Sequence, residues 1–263
     1  MRFSNRWMFN RVMCVESVCR RVLRTALGVE VGEITYLNAE QSYEPGPDNR
    51  GVRMDVVLRE SGRSFDIEMQ VARENRIGKR LRYYQSVLDT IELERGDDFR
   101  NLSESFILFF CQVDPFGKGL PVYSLERVCR ELSDVSVGDD SHWVVLNAQA
   151  WASAQDSDLG ELLEYVKTGR ATGALSSDID ELVAAFNTDR KWVDRVITLE
   201  QDTAIRCRRA REEGREEGRE EGMELLGALM RKLIAEERYD DAERASSDAV
   251  YRDALMRELG MAE

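Results

Sequence analysis

Residues 51–71 read GVRMDVVLRESGRSFDIEMQV, and their spacing decides the fold. Val52, Met54, Val56 and Leu58 alternate with Arg53, Asp55, Val57 and Arg59. Beyond Ser61-Gly62 the alternation resumes, with Phe65, Ile67, Met69 and Val71 apolar and Ser64, Asp66, Glu68 and Gln70 polar. Two period-two runs around a Ser-Gly pair predict a β-hairpin. A two-residue loop sets Asp55 directly opposite Glu68, and Arg53 opposite Gln70. Opposed residues lie roughly 5 Å apart, so the two carboxylates share one patch. Like charges so close repel unless a proton or a cation joins them. A hard divalent ion answers that need, because it prefers carboxylate oxygens.

On pattern alone, the same alternation also describes an ordinary half-exposed antiparallel sheet with a solvated charged face. The wording of the motif separates the two readings. A strand Asp, a turn, then Glu-x-Gln on the next strand resembles the core of the PD-(D/E)XK nucleases, with Gln70 where many members carry Lys. The strings GVRMDV, DIEMQ, RYYQS and DPFGKGLP follow one another between about Met8 and Trp143. In that combination and order they resemble the Rpn-type recombination-promoting nucleases, also described as PD-(D/E)XK nuclease family transposases.

The resemblance implies an α/β fold, a restriction-endonuclease-like core whose mixed central sheet is flanked by helices, with a helical C-terminal extension. It implies a metal-dependent DNA endonuclease that hydrolyses phosphodiester bonds. The expected ion is Mg²⁺, with Mn²⁺ as the alternative, held by Asp55, Glu68, the carbonyl of Met69 and Glu16 on the first helix. Gln70 would take the third catalytic position, where an amide can orient water but neither accepts a proton nor carries charge. Arg53, Lys79, Arg80, Arg82, Gln85 and Lys118 are the expected nucleic-acid contacts, and Lys79 or Arg80 would supply the charge that Gln70 lacks. The chain departs from the family at Arg6, where relatives often have Asp. A second reading stays open, a catalytically inactive scaffold of the same fold that binds nucleic acid or a protein.

Composition sets bounds on these readings. The 263 residues are 43% hydrophobic with a net charge of −13, enough for one core plus an appendage, but not for a surface coated in phosphate-binding residues. The charge is uneven. Residues 2–24 hold Arg2, Arg6, Arg11, Arg20, Arg21 and Arg24 against Glu16 alone, and residues 73–82 hold four arginines and Lys79 against Glu74. A basic rim on an acidic body is compatible with DNA contact. The chain contains neither an 18-residue apolar run nor a hydrophobic signal stretch, so a cytoplasmic protein without membrane association is expected. Five cysteines lack a C-x-x-C pair, and the lone His142 cannot by itself build a histidine-based zinc site.

Outside the hairpin, residues 7–27 carry apolar residues at helical spacing up to Gly28, a suitable stop. Ile34–Leu37 is a short strand candidate, followed by a turn at Pro45-Gly46-Pro47-Asp48. Helical spacing returns from Ile77 to about Leu93. Ser105–Val113 is a continuous apolar run suited to a strand buried on both faces. Asp114–Gly119 is a turn cluster and not a P-loop, because no helix follows its glycines. Strands are expected over 122–130 and 142–148, and a covering helix over Asp158–Thr168. Three domains follow: a nuclease-like domain over 1–150, a helical cover and connector over 151–210, and a charged spacer with a small helical tail over 211–263. The spacer repeats Arg-Glu-Glu-Gly three times from Arg211. It reads as a solvated helix without an apolar stripe, and the tail is where a homo-oligomer would form.

Overall fold

The two alternating runs form β2 (Val52–Glu60) and β3 (Arg63–Gln70). They pair antiparallel in the expected register, from Glu60 opposite Arg63 to Val56 opposite Ile67. Ser61 and Gly62 both take positive φ, 47° and 80°, as a two-residue hairpin turn of matching twist requires. The computed structural model describes residues 1–43, 51–132 and 134–261. The turn expected at Pro45–Asp48 lies outside them.

Four further strands complete a mixed sheet in the order β1-β2-β3-β4-β6-β5. They are β1 (Thr35–Tyr43), β4 (Glu104–Cys111), β5 (Val122–Leu125) and β6 (Ser141–Asn147). Strands β3, β4 and β6 run parallel, which buries β4 on both faces, as its unbroken apolar sequence requires. Phe106, Leu108 and Phe110 enter one core, and Ile107, Phe109 and Cys111 enter the other. The first core is covered by α1 (Arg6–Met13), α2 (Glu16–Leu27), α4 (Asp158–Thr168) and α5 (Ala174–Thr188). The second is covered by α3 (Ile77–Glu92), through Ile77, Leu81, Tyr84, Val87 and Leu88.

Several expectations change in detail. The single helix over 7–27 is two helices, broken at Cys14-Val15, where Val15 is extended. The apolar residues stay in phase across the break, so the pattern alone could not reveal it. The hydroxyl of Tyr36 donates to the Met13 carbonyl at 2.8 Å, satisfying an acceptor that the broken helix leaves open. The first strand extends well beyond Leu37, to Tyr43, and pairs with β2 at the sheet's edge. The strand expected over 122–130 stops at Leu125, and beyond it only an isolated bridge joins Val128 to Ser136.

The chain divides into two compact units, Met1–Val193 and Asp194–Glu263. The second contains most of α6 (Arg190–Ala235), with α7 (Tyr239–Ser247) and α8 (Ala249–Glu258). The Arg-Glu-Glu-Gly repeat is helical and exposed throughout, and Arg219 pairs with Glu216 across three residues. Leu229, Leu233, Ala245 and Leu255 form a small core at its end. Among the described residues, no helix is long and apolar enough to cross a membrane.

Candidate active site

Asp55 stands where the β2–β3 ladder stops. One step beyond the last regular pair, the Asp55 N–H donates to Oε1 of Glu68 at 2.6 Å, and the Met69 N–H donates to Oδ2 of Asp55 at 3.1 Å. Each carboxylate therefore accepts from the other's strand. The strict alternation expected along β2 fails at this point. Val52 and Met54 join the core beneath α3 with Val57, whereas Val56 and Leu58 join the opposite core. The change of face falls where Asp55 gives its N–H to a side chain instead of to the ladder. The Gln70 carbonyl accepts from the Gln112 N–H on the β4 side. By the alternation of backbone groups, the Met69 carbonyl faces the gap beside Asp55.

The site is enclosed. Asp55 is 7% exposed, Glu68 1% and Asp66 0%. Burial raises the Asp55 pKa against the Met69 N–H and the nearby Arg6, Arg80 and Arg53, which pull it down. Burial also pushes Asp66 and Glu68 well above the usual carboxylate range; repulsion from Asp55 adds to both shifts, and repulsion from Asp66 adds to that of Glu68. Glu68 has compensation in the Asp55 N–H and Arg80. Both oxygens of Asp66 lack a hydrogen-bond donor. Glu68 draws the Asp66 pKa back down, but burial dominates, so both carboxyls favour their protonated forms more than free side chains do.

Arg80 closes the site from α3. Its guanidinium donates to Oε1 of Gln70 and, at 2.8 Å, to the Tyr84 hydroxyl, and lies 3.4 Å from Oε2 of Glu68. It sits over the rings of Tyr84 and Phe109, 5.0 and 5.1 Å from their centroids. Burial works against its charge, but Tyr84 and Glu68 more than offset it and raise its pKa. The Gln70 Nε2 donates to the Ala72 carbonyl, so this amide is turned toward Arg80 and its own strand end.

The other expected residues divide. Arg53 is half-buried on β2 beside Asp55, and Lys79 and Arg82 are exposed on α3. Lys118 is exposed in the Asp114–Gly119 turn, between two glycines that line an open cavity of about 500 Å³ at the ends of β4 and β6. That turn is folded inward, because the Asp114 carboxylate accepts the N–H groups of Phe116, Gly117 and Gly119 and the Tyr123 hydroxyl. Glu16 does not join the carboxylates; it is exposed and pairs with Arg20 at 3.7 Å. Gln85 faces the protein interior. It is 5% exposed, donates to Asp89 and Ser105, and accepts from the Trp143 indole, so its amide is spent inside the protein rather than on a DNA strand.

Two residues at the site escaped the sequence reading. Asp66 shares a strand face with Glu68, and the apolar stripe of α3 was the available sign that this face is covered. Arg6 drew notice as a departure from the family pattern, with no role at the site. Among the described residues, no set of three or more His, Cys, Asp or Glu side chains is gathered to hold a metal. The donors present still fit a hard divalent ion. Asp55, Glu68 and the Met69 carbonyl are all oxygen donors, and Asp66 leaves buried oxygens without a partner. Mg²⁺ commonly takes only one or two carboxylates and fills its remaining positions with water and phosphate oxygens.

Residues 16–118 match the family model described as PD-(D/E)XK nuclease family transposase, which suggests a nuclease- or transposase-like function for the segment containing Asp55, Glu68, Gln70 and Arg80. No curated protein and no solved structure matches the chain.

Proposed function

We propose, from the premise of that family match, that this chain is a DNA endonuclease hydrolysing phosphodiester bonds with a divalent ion, Mg²⁺ or Mn²⁺, held by Asp55, Glu68 and the Met69 carbonyl. The observation that carries the reading is the reciprocal bonding of Asp55 and Glu68 across two strands, with Arg80 spanning Glu68 and Gln70. The ion supplies Lewis acidity toward the phosphoryl group and lowers the pKa of a bound water. The remaining work falls to the chain. Asp55 and Glu68 are fixed by backbone N–H groups rather than by flexible side chains, which preorganises them for the ion. Gln70 carries no charge, but it holds Arg80 beside the carboxylates. Arg80 thereby provides, from a helix, the positive charge that a strand lysine provides elsewhere. Its delocalised guanidinium stays protonated and suits the equatorial oxygens of a phosphoryl group.

The test is supercoiled-plasmid cleavage with Mg²⁺ or Mn²⁺ and with EDTA. Asp55→Ala and Glu68→Ala should each abolish metal-dependent cleavage, and wild-type rates in both would end the proposal. A second reading, a silent scaffold, is favoured by the enclosure of Glu68 and its engagement by Arg80. Calorimetric titration with Mn²⁺ separates the two readings. The enzyme reading expects binding that disappears in Asp55→Asn, whereas the scaffold reading expects no such site.

A further inference from the structure

We propose that Arg6 and Arg53, gathered on the indole of Trp7 beside Asp55, form a grip for a backbone phosphate of the DNA strand; the inference rests on the nuclease reading above. The Arg6 guanidinium lies over the Trp7 ring at 5.2 Å from its centroid, and that of Arg53 at 4.8 Å. One comes from α1 and the other from β2, so the fold itself brings two like charges to one aromatic surface.

That meeting is built rather than incidental. Asn5 caps α1, its side chain accepting from the N–H groups of Trp7 and Met8, which fixes the turn that carries Arg6. Asn10 donates from its side chain to the Asp55 carbonyl, which ties α1 to β2 at the catalytic carboxylate. Arg6 and Arg53 both lie near enough to Asp55 to draw on its charge. Their cationic end therefore adjoins the ion site.

Arg6 differs from the arginines that follow it. Arg11 pairs with Asp189, Arg20 with Glu16, Arg21 with Asp178 and Arg24 with Glu30. Arg6 makes no ion pair or side-chain hydrogen bond among the described residues, and its Nε is enclosed without a partner. Its terminal nitrogens are the donors left for an anion. A guanidinium held against a ring loses little freedom when it engages a phosphate, and its planar fork matches two phosphate oxygens. Arg6 and Trp7 precede the segment that matches the family, whereas Arg53 lies within it.

The test is binding of a fluorescein-labelled duplex DNA to the full-length protein in EDTA, where nothing is cleaved, read by anisotropy across a salt series. Each lost phosphate contact should make the slope of log affinity against log salt shallower by about 0.9. Arg6→Gln should show that change, Arg6→Lys should keep the wild-type slope, and Arg24→Gln should leave it unaltered. Should Arg6→Gln fail to fold, Arg53→Gln gives the same readout. Wild-type slopes in the glutamine variant would overturn the grip while leaving metal-dependent cleavage, and the nuclease reading, standing. Absence of DNA binding by the wild-type protein at every salt concentration would overturn both.

Discussion

Replacing Asp66 with Asn should stabilise the metal-free protein at neutral and alkaline pH. Asp66 is 0% exposed and both its oxygens lack a donor. Leaving a buried polar group unsatisfied costs about 1–3 kcal/mol, and more when it is charged. An asparagine amide brings its own N–H to Glu68 and needs no proton. The sign of the pH dependence follows from the raised pKa. A carboxyl whose folded pKa exceeds its unfolded value contributes stability that is full below the unfolded value, near 3.9, and is lost as pH rises through the folded one. Asp66 and Glu68 should therefore make the wild-type protein lose stability as pH rises from about 4 through their raised folded values. In Asp66→Asn this loss should shrink, by up to about 1.4 kcal/mol per pH unit where the proton titrates. The gain at pH 8 should be about 1–3 kcal/mol, or ~2–4 °C in melting temperature per kcal/mol. Urea unfolding in EDTA at pH 5 and pH 8, followed by tryptophan fluorescence, measures it. All four tryptophans (Trp7, Trp143, Trp151 and Trp192) belong to the unit that holds the site. A loss of stability at pH 8, or a pH dependence equal to wild type, would refute the reasoning.

Four further outcomes follow from the same geometry. Arg80→Ala should leave Glu68 enclosed without its cation; breaking such a pair costs about 3–5 kcal/mol, and a melting curve equal to wild type would contradict it. Saturating Mn²⁺ at about 100 times its dissociation constant should add about 2.7 kcal/mol to stability, more effectively at pH 8 than at pH 6, and not in Glu68→Gln; scanning calorimetry reads both effects. Gln85→Leu should cost about 1–3 kcal/mol by orphaning Ser105 and the Trp143 indole while sparing Mn²⁺ affinity, so weakened metal binding in a folded variant would return Gln85 to the site. Cys111 is buried and its thiol is pushed up to about 12, so a thiol reagent at pH 8 should label exposed Cys14 and Cys207 first, which peptide mapping of the labelled protein would check.

The hairpin and its register were legible because a period of two, a Ser-Gly turn and a matched apolar set leave one good pairing. The helix from Ile77 was legible by its spacing, and β4 by a run too apolar for any exposed strand. Pattern alone would leave the polar face of the hairpin in solvent; the apolar stripe of α3 covers it. Asp66 and Gln85 both belong to that hidden layer. Gln85 finds partners in Ser105 and Trp143 on two different strands, and period alone does not say which strands become neighbours. The break between α1 and α2 and the meeting of Arg6 with Arg53 depend likewise on contacts distant in sequence.

The parallel pairing of β3 with β4 orders events during synthesis. The hairpin is complete at Gln70, yet Asp66 is paired alongside Ile107, whose codon is read some forty residues later. A nascent chain thus displays its acids to water, ionised in the ordinary way, until β4 leaves the ribosome and docks. Proton uptake is then a late step of maturation. In refolding at neutral pH, a soluble indicator dye should register it with the slow phase rather than with hairpin formation, and the acidic layer stays uncovered on the unfinished polypeptide.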